Sequence, residues 1–551
     1  MEFDAVLIEP RRAAMEAAGL WQGKTLLDYL EANLAARPDA RALTAITVAD
    51  GGRRDLTWAE IDALSWRAAA GLHRLGLGKD DVLACQLPNS WEFVVLHLAC
   101  CKLGVVFNPV MPIFRERELR FMLRHGEAKV FAVRKLLRGF DHEVMAEGMR
   151  PDLPDLQHVI VGGGKGANGF EALLLDPALE VDEALRSLSR RARGDANTVC
   201  QLIYTSGTTG EPKGVMHTAN TMLSNLVAYA ERLGLGGADT ILMASPMAHQ
   251  TGFMYGLLMP VMLGAPMVVM DGWDRDVAAS LIAEEQVTFT MASTPFLMDL
   301  SNAVEAQGTD SSSLRIFLCA GTAIPGPLVE RAQSVLGAKV LSAWGMTENG
   351  AVTAVAPTDP DARSIQTDGS ALPGMELQVR DAGGRPVAPG EEGKLYVRGC
   401  SNFVGYLKRP EWNATDADGW FDTGDIARMD AAGYIRICGR AKDVIIRGAE
   451  NIPVVEVEAL LYKHPAVHQV AIVAYPDARL GERACAFVVP KPGQSLDFAG
   501  VIAFLETQQL AKQYMPERLE LREALPATAA GKIQKFALRD ALRAEYEASR
   551  A

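Results

Sequence analysis

The sequence predicts an α/β protein with a large N-terminal domain of helix-covered β-sheets, a small β-rich subdomain and a small α+β C-terminal domain. Its 551 residues exceed what one compact core usually holds. Over the first 440 residues, apolar strand patterns alternate with helical patterns, which indicates parallel sheets covered by helices. After Leu372, short strands separated by glycine and acidic turns indicate the β-rich unit.

The N-terminal part contains the clearest individual elements. Apolar residues recur at helical spacing over Leu56–Leu75, where Thr57 precedes Glu60 as a candidate N-cap. A second helix is predicted over Trp91–Leu103. Short apolar runs predict strands at Val82–Gln86, Val130–Val133 and His158–Val161.

The stretch between Asp239 and Asp271 contains no Asp, Glu, Lys or Arg, which raises the question of a membrane span. Prolines and glycines interrupt it, whereas a span needs ~20 uninterrupted helical residues. We therefore predict no membrane span here, but a short buried helix followed by a strand over Ala265–Met270.

The predicted elements beyond Leu372 are shorter. Strands of the β-rich unit are predicted at Leu377–Arg380, Gly393–Arg398 and Tyr434–Ile437. A compact α+β pattern begins near Ala441, with strands at Val444–Ile446, Val470–Ala474 and Cys485–Pro490. Helices are predicted at Val454–Lys463, at Phe498–Gln509 and from Phe536. These patterns divide the chain into an N-terminal domain, residues 1–440, and a C-terminal lid domain, residues 441–551.

Composition excludes several classes of function. The 55 basic and 68 acidic side chains give a net charge of −13, which argues against a nucleic-acid partner because phosphate backbones repel acidic surfaces. The eight cysteines show no CxxC or Cys/His ligand spacing, so neither a zinc site nor a disulfide framework is predicted. The N-terminus lacks a signal-peptide pattern, and we expect a cytoplasmic protein with reduced thiols.

The strongest local signal is LIYTSGTTGEPKGV, residues 202–215, in which an apolar strand leads into a loop of small and hydroxyl residues. Glycines let backbone N–H groups approach an anion closely, and the hydroxyls and Lys213 add donors and positive charge. This set suits a polyphosphate. The spacing is not that of the Walker P-loop. The alternative is a flexible linker, which is not usually anchored between an apolar strand and a Pro-Lys-Gly ending.

The segment YTSGTTGEPKG resembles the phosphate loop of the adenylate-forming superfamily, which includes acyl-CoA synthetases, peptide-synthetase adenylation domains and beetle luciferases. Further motifs follow in that family's order over essentially the whole chain. The resemblance implies two helix-covered β-sheets plus a small β-rich subdomain in the N-terminal domain, and a mobile C-terminal domain. It also implies that ATP is bound by Thr205, Ser206, Gly207, Thr208, Thr209, Gly210 and Lys213.

The segment WGMTE, residues 344–348, resembles the family's aromatic-Gly-x-Thr-Glu motif. The resemblance implies that Trp344 and Gly345 contact the adenine side and that Thr347 bonds the α-phosphate. It further implies that Glu348 holds Mg²⁺, with Thr205 as a second candidate ligand. Magnesium prefers one or two carboxylates together with phosphate oxygens, so a glutamate beside a phosphate loop is chemically sensible.

Two further segments resemble family motifs of the nucleotide pocket. Gly321, Thr322 and Ala323 match the segment that lines the adenine and acyl pockets. Asp425 ends GWFDTGD, and the resemblance implies that this carboxylate accepts hydrogen bonds from the ribose hydroxyls.

The C-terminal motifs resemble segments that the family uses to form the acyl-adenylate and then to transfer the acyl group to coenzyme A. Arg440 and Lys442 lie in GRAKD, which resembles the hinge, with Arg440 near ribose or phosphate; a solvated charged turn is the alternative. Lys532 in PATAAGK matches the lysine that stabilises charge on the reacting phosphorus. In the family the C-terminal domain then rotates and brings a loop, here near Arg447–Asn451, to the site for attack by coenzyme A. Bacterial relatives are switched off by acetylation of this lysine, which implies a lysine acetyltransferase and deacetylase as partners.

The resemblance places the acyl pocket at residues 247–254, 319–323 and 344–352. The acid-free stretch 240–270 offers no carboxylate to an amino-acid ammonium, so we expect a compact uncharged acid: alicyclic, aromatic or short to medium aliphatic. His249 matches the family's gate position, with a plain core histidine as the alternative. The segment 108–119 looks most like the cyclohexanecarboxylate–CoA ligases.

The sequence therefore predicts an AMP-forming carboxylate–CoA ligase that uses ATP, Mg²⁺ and coenzyme A. Two alternatives stay open at this point. A ligase that loads a carrier protein would use the same pantetheine chemistry, and a catalytically silent nucleotide-binding scaffold would have the same fold.

Overall fold

The computed structural model describes residues 1–205, 212–321, 326–440, 445–447, 450–477, 481–508, 510, 512–528 and 533–548. The fold is α/β, with two large mixed sheets, a smaller four-stranded sheet and a C-terminal α+β unit. The predicted fold class is confirmed. The strand Val82–Gln86 and the helix Trp91–Leu103 have the predicted bounds.

The two large sheets are parallel in their centres; the nine-stranded sheet is antiparallel at both edges, and the seven-stranded sheet only at the edge that ends in Gly405–Tyr406. The nine-stranded sheet has the order Ser370–Ala371, Gly350–Ala354, Lys339–Met346, Ile316–Ala320, Phe289–Ala292, Ile241–Met243, Met267–Met270, Arg41–Thr47 and Gly52–Thr57. The seven-stranded sheet has the order Gly405–Tyr406, Lys213–Thr218, Val199–Thr205, Val106–Pro109, Val82–Gln86, Ala128–Arg134 and His158–Gly162. Central parallel strands are buried on both faces, which explains their continuous apolar runs.

Helices cover both sheets. Those of the N-terminal part are Glu9–Ala17, Leu26–Ala36, Trp58–Arg74, Trp91–Leu103, Glu116–His125, His142–Met149, Phe170–Leu174, Glu183–Ala192, Ala219–Leu233, Gln250–Phe253, Met259–Leu263, Arg275–Glu285, Thr294–Gln307, Gly326–Leu336 and Asp361–Gln366. Short 3-10 turns are Arg150–Asp152, Pro410–Trp412 and Lys512–Tyr514.

The largest apolar core joins the two large sheets. It contains Leu83 and Phe107 from one sheet, Leu43 and Ile241 from the other, and much of the helix Trp91–Leu103. That helix is buried on nearly every side, as expected of a helix that is apolar all round. Its few charged side chains are paired. Lys102 lies 2.8 Å from Asp62, and Glu92 lies 2.9 Å from Arg134.

The uncharged stretch 240–270 is buried core. A helical run from Gln250 to Leu263 contains a π-helical turn over Met254–Leu258, followed by the strand Met267–Met270. Pro260 lacks an N–H and crowds the preceding turn, which accounts for the irregular winding. The strand starts later than predicted because Ala265 still bonds Pro260 at the helix end and Pro266 has no N–H to donate. In the described part of the chain, no helix is both long and apolar enough for a membrane crossing.

The β-rich subdomain is a four-stranded antiparallel sheet of Met375–Arg380, Glu392–Gly399, Phe421–Met429 and Ile435–Arg440. Its last strand begins one residue later than predicted. Tyr434 N donates to the Asp430 carboxylate, which keeps Tyr434 in the preceding turn. A separate pair of short strands is formed by Leu136–Leu137 and Phe140–Asp141.

The C-terminal unit packs three helices on one sheet. The strands are Glu450–Ile452, Ile445–Arg447, Gly481–Pro490, Val467–Asp477 and Arg518–Leu521. The helices are Val454–Leu461, Phe498–Thr507 and Lys535–Ala548. The four-stranded sheet ends at Arg440 and this sheet begins at Ile445. The domain division at 440/441 and the mobility of the second domain stay predictions.

All eight cysteines are free. Each of the eight has a raised thiol pKa, mainly because burial disfavours the thiolate. These buried thiols are poor nucleophiles.

We expect Thr57→Ala to destabilise the N-terminal domain by about 1 kcal/mol. The Thr57 hydroxyl accepts from Glu60 N and the Glu60 carboxylate accepts from Thr57 N, which forms a capping box for the helix Trp58–Arg74. Urea unfolding followed by circular dichroism measures the loss. Thr57→Ser keeps the hydroxyl and should unfold like the native protein; equal losses in both variants would contradict the cap.

Candidate active site

The strands on either side of the phosphate loop form an antiparallel hairpin. Thr205 ends the strand Val199–Thr205 and lies opposite Lys213, which begins the strand Lys213–Thr218. The predicted loop residues Ser206, Gly207, Thr208, Thr209 and Gly210 lie outside the described residues. The hairpin therefore brings the first and last groups of the motif, Thr205 and Lys213, to one end of the sheet.

The edge strand Gly405–Tyr406 completes this end of the sheet. Tyr406 pairs with Val215, two residues after Lys213. The Lys213 Nζ lies over two aromatic rings, 4.8 Å from the Tyr406 centroid and 5.5 Å from that of Trp412. Aromatic faces stabilise an ammonium group by their quadrupole, so the rings hold the cation at the site without neutralising it.

Residues 344–348 run from the end of the strand Lys339–Met346 into a tight turn. Gly345 allows the neighbouring strand Gly350–Ala354 to approach, because a Cβ at this position would lie 1.9 Å from the Gly350 carbonyl oxygen. The Trp344 indole Nε1 donates to Asp425 Oδ2 at 2.9 Å. Trp344, the predicted adenine platform, is thus in direct contact with Asp425, the predicted ribose-binding carboxylate. Asp425 is buried, and its sequence neighbours Thr423 and Gly424 line the cavity.

The turn that carries Thr347 and Glu348 is fixed by hydrogen bonds at each end. Met346 N donates to the Asn349 side chain at 3.1 Å, and Phe403 N donates to the Glu348 carbonyl at 2.6 Å. The Tyr406 hydroxyl donates to Glu348 Oε1 at 2.7 Å. Glu348 is only 6% exposed, and the turn leaves Thr347 and Glu348 at the cavity wall.

His217 holds the same turn from the Lys213 strand. Its Nε2 lies 2.8 Å from the Thr347 carbonyl oxygen, and its Nδ1 lies 3.1 Å from Thr221 Oγ1. Burial lowers the pKa of His217 to about 4, so the ring is neutral at pH 7. A carbonyl only accepts, so Nε2 carries the proton and donates to Thr347, while Nδ1 accepts from the Thr221 hydroxyl.

These groups open onto one cavity of about 590 Å³. Formal charge among its described lining residues is carried by Lys213, Glu348, Lys394 and Asp422, and the last two lie 3.3 Å apart as an ion pair. Thr528 and Gln534 of the C-terminal unit also line the cavity. Lys532 lies between them in sequence but outside the described residues.

The uncharged walls of the cavity come from five segments of the sequence. Their lining residues are Met111, Ile113, Phe114, Ala248, His249, Gln250, Thr251, Tyr255, Met291, Ala292, Ser293, Ala320, Gly321, Gly350 and Ala351. The Tyr255 hydroxyl donates to Asn225 at 2.8 Å and accepts from Ala351 N at 2.7 Å, which fixes the wall behind Gly350. A lining without formally charged side chains is typical of a pocket for a small apolar group.

His249 stands at the cavity rather than in the core. It is the N-cap of the helix Gln250–Phe253, with Nδ1 3.3 Å from Thr251 N, and it is half-buried. Its neighbour Gln250 is buried, and its side-chain oxygen accepts from Gln201 at 2.9 Å. The gate role of His249 stays a prediction.

Several predicted site residues cannot be placed. Thr322, Ala323 and Lys442 lie outside the described residues, as does the side chain of Arg440, whose backbone pairs with Asp425. Within the described part of the chain, no three His, Cys, Asp or Glu side chains form a metal-binding cluster. A single carboxylate beside a phosphate site still fits Mg²⁺, which keeps most of its ligands as water and phosphate oxygens.

Comparison with known proteins decides the family. Residues 30–407 match the AMP-binding enzyme family, and residues 456–532 match the AMP-binding enzyme C-terminal domain. The chain belongs to the AMP-binding enzyme family. It is an adenylate-forming enzyme of the AMP-forming acid–thiol ligase class.

Relatives of this AMP-binding enzyme span nearly its whole length. It is 39% identical over 534 residues to the medium-chain fatty-acid–CoA ligase of Escherichia coli, covering 96% of this chain and 93% of the relative. It is 35% identical over 548 residues to a salicylyl-CoA synthase / salicylate adenylyltransferase of a Streptomyces species, covering 98% of each. Among solved structures, the anthranilate CoA ligase AuaEII with anthranoyl-AMP matches with a TM-score of 0.85 at 26% identity, covering 95% of this chain and 98% of that one.

Sequence reasoning missed His217, Tyr255 and Tyr406. Each is a single polar residue in an apolar strand or helix, and no spacing distinguishes it from a core residue. His217 lies four residues after Lys213 on the same strand, which is the one signal that could have drawn attention to it.

We expect His217→Leu to lower the rate of adenylation about tenfold, because the half-buried Thr347 carbonyl loses its donor. His217→Gln offers an amide N–H to the same carbonyl and should recover most of the rate. Pyrophosphate release under saturating ATP and acid measures both variants. Equal rates in the native protein and His217→Leu would contradict the positioning of Thr347 by this ring.

Proposed function

We propose that this enzyme activates a compact, uncharged carboxylic acid with ATP and transfers the acyl group to coenzyme A. The observation that carries the proposal is the shared cavity. Thr205 and Lys213, the turn with Thr347 and Glu348, and an uncharged wall all border it. A carboxylate bound against that wall would lie beside the phosphate-binding residues.

The first half-reaction forms a bond between the acid's oxygen and the α-phosphorus of ATP, while the bond from that phosphorus to pyrophosphate breaks. The residues contribute alignment and charge stabilisation. Thr347 would bond the α-phosphate, and Lys213 would hold the leaving pyrophosphate. Mg²⁺, held by Glu348 and the phosphates, supplies neutralising charge when it is bound. In the second half-reaction the thiolate of coenzyme A attacks the acyl carbon, and AMP leaves.

The proposed acid class follows from the lining. A buried ammonium or second carboxylate would require a partner of opposite charge, and the described acyl wall offers none. The relatives named for medium-chain fatty acids and salicylate are consistent with aliphatic and aromatic acids. Cyclohexanecarboxylate is our specific candidate because residues 108–119 resemble its ligases, and Met111, Ile113 and Phe114 of that segment line the cavity.

The test is pyrophosphate release by the purified protein with ATP, Mg²⁺ and a panel of acids, each with and without coenzyme A. The panel includes cyclohexanecarboxylate, benzoate, salicylate, octanoate and, as a charged control, phenylalanine. We expect release with cyclic or aliphatic acids that rises sharply with coenzyme A, and none with phenylalanine. Release indifferent to coenzyme A would favour carrier-protein loading, as the adenylyltransferase name of one relative suggests. No release with any acid would favour the silent scaffold.

Lys532 is proposed as the residue that stabilises charge on the reacting phosphorus. Thr528 and Gln534, which flank its segment, line the cavity. We expect Lys532→Ala to lower pyrophosphate release by about 10²–10³-fold while a supplied acyl-adenylate is still converted by coenzyme A. Lys512→Ala removes an exposed lysine of the same unit and serves as the control.

Equal loss of both half-reactions in Lys532→Ala would contradict a role of Lys532 in adenylation alone.

Acetylation of Lys532 would remove the same charge and stop adenylation. That modification stays a prediction, which mass spectrometry of the protein from different growth conditions can test.

A further inference from the structure

The Glu348 carboxylate is held by one of its two oxygens. Oε1 accepts the Tyr406 hydroxyl at 2.7 Å, and both side chains are nearly buried, at 6% and 2% exposure. Oε2 accepts no hydrogen bond from any residue that the structure describes, although it belongs to a residue of the cavity wall. An ionised carboxylate has about four acceptor positions, so this group retains most of its capacity for a ligand.

The backbone on both sides of this contact is fixed. Phe403 N donates to the Glu348 carbonyl at 2.6 Å, and His217 donates to the preceding carbonyl of Thr347 at 2.8 Å. Tyr406 lies on an edge strand paired with Val215 of the Lys213 strand. The carboxylate can therefore change its direction only by side-chain rotation, and the Tyr406 hydroxyl restrains that rotation.

The same tyrosine also contacts the positive group of the site. Its ring lies 4.8 Å from Lys213 Nζ, while its hydroxyl bonds Glu348. One side chain thus stands between the ammonium and the carboxylate. This arrangement leaves the two opposite charges to act on a ligand instead of forming an ion pair with each other, which fits the absence of a Lys213–Glu348 contact among the described ion pairs.

We propose that Tyr406 is a positioning residue for the divalent cation: by holding Oε1 of Glu348, it leaves Oε2 as the oxygen that binds Mg²⁺ of the Mg²⁺–ATP complex. The proposal rests on the proposed function. Partners that orient a ligating carboxylate usually contribute strongly to metal affinity. The described residues offer no cluster of three metal ligands, so the direction of one carboxylate matters more here than in a closed metal site.

We expect Tyr406→Phe to weaken cation binding by about 10–100-fold. The variant removes the hydroxyl but keeps the ring beside Lys213. The measurement is Mn²⁺ binding to the full-length protein with a non-hydrolysable ATP analogue, followed by electron paramagnetic resonance. The Mg²⁺ concentration that gives half-maximal pyrophosphate release should rise in parallel, while the KM for ATP at saturating Mg²⁺ stays unchanged.

A matched control is available outside the cavity. The Tyr434 hydroxyl donates to the Asp359 carboxylate at 2.8 Å, and neither residue is among the described residues that line the cavity. Tyr434→Phe removes a tyrosine–carboxylate hydrogen bond of nearly the same length. It should bind Mn²⁺ like the native protein.

Two further variants separate the effect of the Tyr406 hydroxyl from that of its ring. Glu348→Gln with Tyr406→Phe should bind Mn²⁺ no more weakly than Glu348→Gln alone, because the hydroxyl acts through that carboxylate. Tyr406→Leu, which also removes the ring, should in addition weaken binding of the ATP analogue in the presence of a chelator, because Lys213 loses its aromatic support.

Native Mn²⁺ affinity in Tyr406→Phe would overturn the proposal, and so would an independent loss in the double variant. Equal weakening of the ATP analogue with and without cation in Tyr406→Phe would also overturn it, because the hydroxyl would then contact the nucleotide. The binding experiment needs no acid. A failure of the acid panel with intact cation binding would therefore contradict the proposed function alone.

Discussion

Three hydrogen-bond donors from two chain segments hold the turn at residues 346–349, and the geometry of the whole site depends on them. His217 donates to Thr347, while Phe403 N and the Tyr406 hydroxyl donate to Glu348. Two of these donors lie on the strands beside the phosphate loop. Thr347, proposed for the α-phosphate, and Glu348, proposed for the cation, are consequently held by the same part of the sheet that carries Lys213. A catalyst that works by alignment needs such a fixed frame, because small displacements of reacting groups cost large factors in rate.

The charges of the cavity are few, and their distribution agrees with the chemistry. Lys213 and Glu348 lie at the ends of the motifs that resemble phosphate-binding segments, whereas the long segment 240–270 brings no Asp, Glu, Lys or Arg to the wall. Burying an unpaired charge is costly, so such a wall would reject charged acyl groups without any specific contact. Affinity for the proposed apolar acids would then depend on shape, with about 1–3 kcal/mol for each methylene.

The large sheets supply the rigidity that these polar groups require. The helix Trp91–Leu103 lies in the apolar core that joins both sheets, and its charged residues Glu92 and Lys102 are paired. Close backbone approach matters as much at the site itself. Gly345 has no room for a Cβ against Gly350, so the strand that carries Trp344 lies directly beside the strand that backs the acyl wall. Packing and polar contacts thus specify one arrangement.

The fold class, the order of the motifs and most elements with strong periodicity are readable from the sequence alone. Val82–Gln86 and Trp91–Leu103 were predictable to the residue, because apolar pattern and caps agree there. Strand ends near Pro266 and Tyr434 were not, since a missing N–H and a side-chain hydrogen bond decided them. Thr205, Lys213, Gly321, Trp344, Thr347 and Glu348 were predicted from motifs, and the structure brings them to one cavity.

The single polar residues that support that cavity are identified only by the folded arrangement of the chain. His217 and Tyr406 are far from Thr347 and Glu348 in sequence, and they lie in the seven-stranded sheet, whereas their partners follow a strand of the nine-stranded sheet. The contact between Trp344 and Asp425 likewise joins residues of different sheets. Local pattern reports on neighbours along the chain, whereas a hydrogen bond between distant segments depends on how the whole chain packs.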